Sequence, residues 1–179
     1  MLLIIGLGNP GIEYAFTRHN MGFIFIDYIS DILRFPIFKT KFDSLYTEKI
    51  MDSIYHNRKI ILQKPQTFMN LSGKAVAQIV SFYKIDSKNI IAVHDDIDLP
   101  QLEVRIKFGG SNGGHNGLRS IDGAIGKAYW KIRIGVGRPM LKEQVANHVL
   151  SKFSQEVLDL LPSLFDDIIN KLSQILNSK

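Results

Sequence analysis

The sequence predicts an α/β protein, a single domain over residues 1–179 with a mixed β-sheet and helices on both faces. Three observations predict it. Buried-type apolar runs at residues 2–7 and 89–94 alternate with helical periodicities at 20–33 and 71–83, an order that packs helices against a sheet. Two later stretches, 102–108 and 130–136, alternate apolar with basic residues, as strands do when one face is exposed. Finally, 179 residues that are 45% hydrophobic, with no internal repeat or linker, suffice for one core.

The elements follow in order. Residues 2–7 are an unbroken apolar strand ending in the turn Asn9-Pro10-Gly11. The segment 12–19 is polar and aromatic, and the helix at 20–33 places Phe23, Ile26, Ile29 and Leu33 on one side. Residues 44–52 and 59–63 read as two strands joined by a turn at His56-Asn57. The helix at 71–83 carries Val76, Ile79, Val80 and Tyr83 as its core stripe, before the buried strand at 89–94. In the strand at 102–108, Leu102, Val104, Ile106 and Phe108 oppose Glu103, Arg105 and Lys107. A glycine-rich loop over 109–117 leads into a helix ending near Ile125. In the last strand, 130–136, Trp130, Ile132, Ile134 and Val136 oppose Lys131 and Arg133 on its exposed face. Residues 153–176 are helical, with a break expected at Pro162.

Composition narrows the function. No apolar run approaches the ~20 residues of a membrane span. The start, Met1-Leu2-Leu3-Ile4-Ile5, lacks a basic region and a small-residue cleavage site, so it reads as a strand rather than a signal peptide. The absence of cysteine excludes disulfides, thiolate catalysis and Cys-based zinc sites, and suits a cytosolic protein. Between residues 101 and 142, eight Lys/Arg face only Glu103 and Asp122, a net +6 in a chain of net +5. An excess confined to one segment suits a polyanionic partner or a solvated basic face.

Gly6-x-Gly8-x-x-Gly11 spells a dinucleotide-binding pattern, but the helix does not open within the glycines, and the ribose-binding acid would fall inside a helix at Asp27 or Asp31. Polar clusters instead fall at element ends. These are Asn9; His19-Asn20; Met69-Asn70; His94-Asp95-Asp96; and the loop Gly113-Gly114-His115-Asn116-Gly117. Ligands of open α/β sheets bind outside the carboxyl ends of strands, where Asn9 and His94-Asp95 lie. One His as general base, one Asp to fix its tautomer, and several Asn to grip carbonyls and hydroxyls make a water-activating site. Each residue also has a structural reading. Asn9 suits a turn, Asn70 a cap for the helix at Leu71, His115 a glycine-rich turn, and Asp95 a strand end. The run His94-Asp95-Asp96-x-Asp98 offers oxygen ligands for a divalent metal, with no second acidic cluster to complete the site. No nucleophile-elbow motif is present for serine catalysis.

Four segments together, GLGNPGIEYAFTRHNMGF (6–23), KPQTFMNLSGKAV (64–76), VHDDIDLP (93–100) and GGHNGLRSI (113–121), resemble the bacterial-type peptidyl-tRNA hydrolase family, in order over about the first 140 residues. The resemblance implies a cytosolic, metal-independent esterase without cofactor, expected as a monomer and with no membrane association. It would cleave the ester between a peptide and the terminal ribose of tRNA, in translation recycling. By motif, His19 is the base and Asp95 its orienting carboxylate. Asn9 would distinguish peptidyl from aminoacyl substrates. Asn70 and Asn116 would hold substrate and water, with Tyr14, Phe68 and Met69 lining the site and His115 nearby. Arg105, Lys107 and Arg133 fall where the family meets tRNA phosphates. The chain departs from the family pattern in a short 126–129 loop, in Asn112 where a smaller residue is common, and in a C-terminal helix that reads as short and Ile/Leu-rich. Two other classes stand beside this one. A non-catalytic RNA-binding module explains the basic segment but not the His19/Asp95/Asn constellation, and an NAD-dependent oxidoreductase rests only on three glycines.

Overall fold

The structure, a computed structural model, describes residues 1–51 and 57–177. Among them, seven strands form one mixed sheet in the order β2-β3-β4-β1-β5-β7-β6. The strands are β1 (Leu2–Gly6), β2 (Lys39–Lys41), β3 (Ser44–Ile50), β4 (Lys59–Pro65), β5 (Ile90–Asp96), β6 (Val104–Phe108) and β7 (Trp130–Gly135). The central run β4-β1-β5-β7 is parallel, and antiparallel pairs β2-β3 and β6 close its two sides. Parallel pairing explains why β1 and the first part of β5 read as continuous apolar runs: both faces are covered.

Helices α1 (Met21–Ile32) and α5 (Gln155–Asn177) cover one face, where Phe25, Ile26 and Phe165 pack on Ile4, Val93 and Ile134. Helices α2 (Ser72–Tyr83) and α3 (Asn116–Ile125) cover the other, where Val76, Ile79, Leu118 and Ile121 meet Leu3, Ile5 and Ala92. A short α4 (Val145–Val149) lies between β7 and α5. The first glycine of the Gly-x-Gly pattern serves packing. A Cβ on Gly6 would come within 2.2 Å of the Gly22 carbonyl oxygen, so α1 lies directly on β1. Two 3-10 turns, Ile12–Tyr14 and Arg18–Asn20, separate the glycines from α1, so no helix N-terminus faces them and no pyrophosphate cradle forms.

The structure corrects several expectations. Asp52 and His56 lie outside the described residues, while Asn57 holds φ +51°. The edge strand β2, Lys-Thr-Lys, is fully exposed and carries no apolar signal. Leu102 turns the chain at φ +66° before β6 begins at Val104. Helix α5 runs over 23 residues without stopping at Pro162. Its stripe Val157, Leu161, Phe165, Ile168 and Leu172 is buried. At ~1.5–3 kcal/mol for each fully buried apolar side chain, that stripe outweighs the ~3 kcal/mol cost of an interior proline. Lys131 is not on an exposed face: it is 2% exposed beneath Asp122 and Tyr129.

Candidate functional site

The parallel strands bring their carboxyl ends to one edge, and the site is built there. Asn9 follows β1, Phe68-Met69-Asn70 follow β4, and Asp95 sits near the end of β5. His19 comes from the turn leading into α1, and His115-Asn116 open α3. All eight line one cleft of about 600 Å³.

Asp95 is its centre. The carboxylate is 2% exposed and accepts hydrogen bonds from both sides of the sheet. His19 Nδ1 donates to Oδ1 at 2.9 Å and lies 3.0 Å from Oδ2, and His115 Nε2 donates to Oδ1 at 2.9 Å. The tautomer of His115 is set by α3, because its Nδ1 accepts the amides of Gly117 and Leu118 at 3.1 and 3.3 Å. Burial pushes the Asp95 carboxyl upward, but the two imidazoles outweigh it and hold the group well below the ordinary carboxylate range. At His19, burial acts downward, and the charge and hydrogen bond of Asp95 overcome it, leaving the imidazole above its ordinary value. With Nδ1 committed to Asp95, Nε2 is the ring nitrogen left to accept a proton.

Asn9 is held on both sides. Its backbone N–H donates to Asn20 Oδ1 at 2.8 Å, and its carbonyl accepts Asn20 Nδ2 at 3.0 Å. Its side-chain Oδ1 accepts the Met69 amide at 2.8 Å, which orients the carboxamide N–H₂ toward open space. Asn70 does not cap α2: it lies in a 3-10 turn, and no side chain caps either helix start. Asn116 Oδ1 accepts from Arg119 at 3.2 Å, leaving its amide hydrogens as donors. Tyr14 does not line the cleft; it packs edge-on against Phe68 at 6.3 Å.

One wall of the cleft went unread in the sequence. Val145, Ala146 and Val149 of α4, with Leu150 and Ile97, supply it. Arg18 ties this wall to the His19 turn, donating to Ser151 Oγ at 2.6 Å and the Lys152 carbonyl at 3.1 Å above the Phe153 ring. His148 Nε2 reaches the carbonyls of Val136 and Gly137, both at 3.0 Å. The acidic run at the end of β5 does not converge on a metal. Asp96 pairs with Arg133 at 2.7 Å, Asp98 pairs with Arg138, and the His94 ring donates to a backbone carbonyl. Among the described residues, the ligating atoms that do cluster belong to His19, Asp95 and His115, within 4.8 Å, and both histidines are hydrogen-bonded to Asp95.

Arg105, Lys107 and Arg133 lie off the cleft, on the β6-β7 edge. Arg105 is opposite Arg133 and Lys107 opposite Lys131, all on the α3 face of the sheet. The four-charge patch expected from alternation is therefore smaller. Lys131 is buried, Arg133 is one-quarter exposed and paired, and Arg105 and Lys107 remain at the surface.

Comparison with known proteins points one way. The sequence profile of the family described as peptidyl-tRNA hydrolase matches residues 3–179. The peptidyl-tRNA hydrolase of Rickettsia akari is 46% identical over 179 residues, spanning all of this chain and 95% of the relative. That of Bartonella henselae is 45% identical over 176 residues, 98% of this chain and 89% of the relative. A crystal structure of peptidyl-tRNA hydrolase with N-propanol superposes with a TM-score of 0.90 at 36% identity, covering 99% of this chain and 89% of the other. The Acinetobacter baumannii enzyme superposes at 0.85 with 37% identity, covering 99% and 87%.

Proposed function

The chain belongs to the peptidyl-tRNA hydrolase family, and on that premise we propose how its cleft releases tRNA from peptidyl-tRNA. His19 Nε2 takes a proton from a water molecule, whose oxygen attacks the carbonyl carbon of the ester joining peptide to terminal ribose. The amide donors of Asn70, Asn116 and the glycine-rich loop stabilise the oxyanion. As the intermediate collapses, the ribose oxygen leaves with the proton that His19 held, giving free peptide and free tRNA. An ester is activated enough that a positioned water and a base suffice without a covalent nucleophile. The observation carrying this reading is the grip of one buried carboxylate on His19 Nδ1 at 2.9 and 3.0 Å.

His19, Asp95, Asn9, Asn70 and Asn116 meet within one chain, so this reading takes the protein as a monomer with a single catalytic domain over residues 1–179. The substrate belongs to translation, which supports a cytosolic site of action. No helix among the described residues is long and apolar enough to cross a membrane. Of the three candidate metal ligands, His19 and His115 each donate to Asp95, which supports a reading without a metal at this cluster. The exposed Arg105 and Lys107, with Arg133 beside them, suit the phosphates of the tRNA body.

The test is release of N-acetyl-amino acid from N-acetyl-aminoacyl-tRNA by metal-free protein in EDTA. Tight tRNA binding without release would make the protein a binding module only. In the same assay, Arg105→Ala with Lys107→Ala should raise KM for full-length substrate and reduce its log–log salt slope by roughly 1.5, because two fewer phosphates are neutralised. It should leave a short substrate with the same terminal nucleotides unaffected. Arg133 is spared in this variant because its loss strips Asp96 of its partner.

Asn9 is placed to read the acyl group. Its free N–H₂ donates to a peptide carbonyl, which an unblocked aminoacyl group lacks at that position. Asn9→Asp keeps an acceptor for the Met69 amide but turns a carboxylate toward the substrate. A lost or mismatched buried hydrogen bond costs about 1–3 kcal/mol. The preference for N-blocked over free aminoacyl-tRNA should therefore fall by about tenfold or more in kcat/KM. Equal losses on both substrates would leave Asn9 only its role in the turn.

A further inference from the structure

The glycine-rich loop that delivers His115 is tied down by a buried polar cluster on the far side of α3. Asn112 is its pivot. The Asn112 carbonyl accepts the His115 amide at 2.9 Å, and its Oδ1 accepts the Gly114 amide at 3.1 Å. This closes a tight turn through Gly113 and Gly114, at φ +58° and +81°, conformations that favour glycine. The remaining group, Asn112 Nδ2, donates to Asp122 Oδ2 at 3.2 Å. Asp122 is itself held: Tyr129 OH donates to Oδ1 at 2.8 Å, and the buried Lys131 ammonium lies 3.8 Å from the same oxygen. Lys131 also donates to the Gly110 carbonyl at 3.0 Å, with the Ser111 carbonyl at 3.5 Å. Burial pushes the Lys131 ammonium toward losing its proton and Asp122 opposes that, so removing Asp122 would strand a buried cation. The cluster thus fastens the loop at residues 110, 111 and 112, immediately before the histidine that touches Asp95.

We propose that Asn112, anchored on Asp122, is a positioning residue for His115: the tie sets the loop so that His115 Nε2 meets the Asp95 carboxylate, and through it sets the strength of the His19 base. The proposal rests on the reading of His19 and Asp95 given above. A loop without its anchor lets the His115 to Asp95 bond lengthen. Asp95 then has one donor fewer and attracts a proton on His19 more strongly. His19 titrates higher, and the fraction of competent base at a given pH falls. The groups facing His19 in this argument are Asp95 and His115.

The experiment compares kcat and its pH profile across seven proteins, on N-acetyl-aminoacyl-tRNA: wild type, His19→Ala, His115→Ala, Asn112→Ala, the double variant of the last two, Asn112→Asp, and Asn112→Asp with Asp122→Asn. Asn112→Ala should lower kcat about tenfold, less than the roughly 10²-fold that a 1 Å misplacement can cost, with KM unchanged. Its acid limb should move up, in the direction of His115→Ala. The double variant should be no worse than His115→Ala alone, because both act through one bond. Asn112→Asp sets two carboxylates against each other and should show the same loss. Exchanging the pair, Asn112→Asp with Asp122→Asn, reverses the one hydrogen bond between them, keeps an acceptor for Gly114 and for Tyr129, and leaves Lys131 facing an amide in place of a carboxylate, so it should recover part of the kcat lost in Asn112→Asp. Either of two results overturns the proposal. One is wild-type kcat and acid limb in Asn112→Ala; the other is a loss that multiplies with that of His115→Ala. A lowered melting temperature with an unmoved acid limb counts as the first, since it shows support of the fold alone. If instead His19→Ala keeps turnover, the underlying reading of the base fails, which this comparison reports separately.

Discussion

Replacing His19 with alanine should abolish nearly all turnover while leaving tRNA binding intact. The ring is held by the Asp95 carboxylate inside the cleft, apart from the basic β6-β7 edge, so the affinity for deacylated tRNA is expected to be unchanged. Its Nε2 is the proton acceptor that the cleft offers once Nδ1 is held by Asp95. General-base assistance is worth roughly 10²–10⁴-fold, and kcat should fall by that factor. The pH profile supplies an independent check. In the wild-type protein, burial lowers the tendency of His19 to hold a proton, and the charge and hydrogen bond of Asp95 together raise it by more. The base is active only when neutral, so kcat should be low in acid and climb through a pKa above the ordinary ~6.5 of imidazole. In His19→Ala that limb should vanish, and the residual rate should follow hydroxide alone. Turnover within a few-fold of wild type, or an acid limb that survives the substitution, would remove His19 from the mechanism.

The candidate site was legible in the sequence as a set of polar residues at element ends, carried by strands that read as buried. Parallel topology then brings Asn9, Phe68-Met69-Asn70 and Asp95 to one edge with no further information. The alternation of β5 also bears on the metal reading. Successive residues face opposite sides, so Asp95 and Asp96 cannot point into one site, and they do not: one meets His19, the other Arg133. Alternation misled at Lys131, because it says which side chains share a face and not what covers that face. Helix α3 and Tyr129 cover it, and Asp122 with two loop carbonyls makes burial of the ammonium tolerable. The α4 wall was illegible for another reason. Five residues hold barely more than one turn, too few for a periodicity, and the segment is held by contacts from Arg18 and His148 to distant backbone.

Asp95→Asn should be nearly as damaging as loss of His19, and for a reason specific to the bonds here. The carboxylate accepts from two N–H groups, and only one of the two imidazole partners can be reversed. His115 cannot turn its proton elsewhere, since its Nδ1 already receives the Gly117 and Leu118 amides. An asparagine brings one oxygen and one N–H₂. His19 Nδ1 lies within 3.0 Å of both carboxylate oxygens, so the new N–H₂ faces that nitrogen whichever way the amide is turned. Two donors in contact are relieved when His19 moves its proton to Nε2, the tautomer with no lone pair toward the cleft. At the same time the negative charge that favoured the imidazolium is gone, while the burial that disfavours it remains. The acid limb of kcat should therefore shift downward, below the ordinary imidazole value, as the plateau falls by roughly 10²–10⁴-fold. Those two changes separate a lost orienting carboxylate from a damaged fold, which lowers the plateau and leaves the limb in place. Near wild-type kcat with an unshifted limb in Asp95→Asn would mean that His19 is oriented by something other than the carboxylate 2.9 Å away.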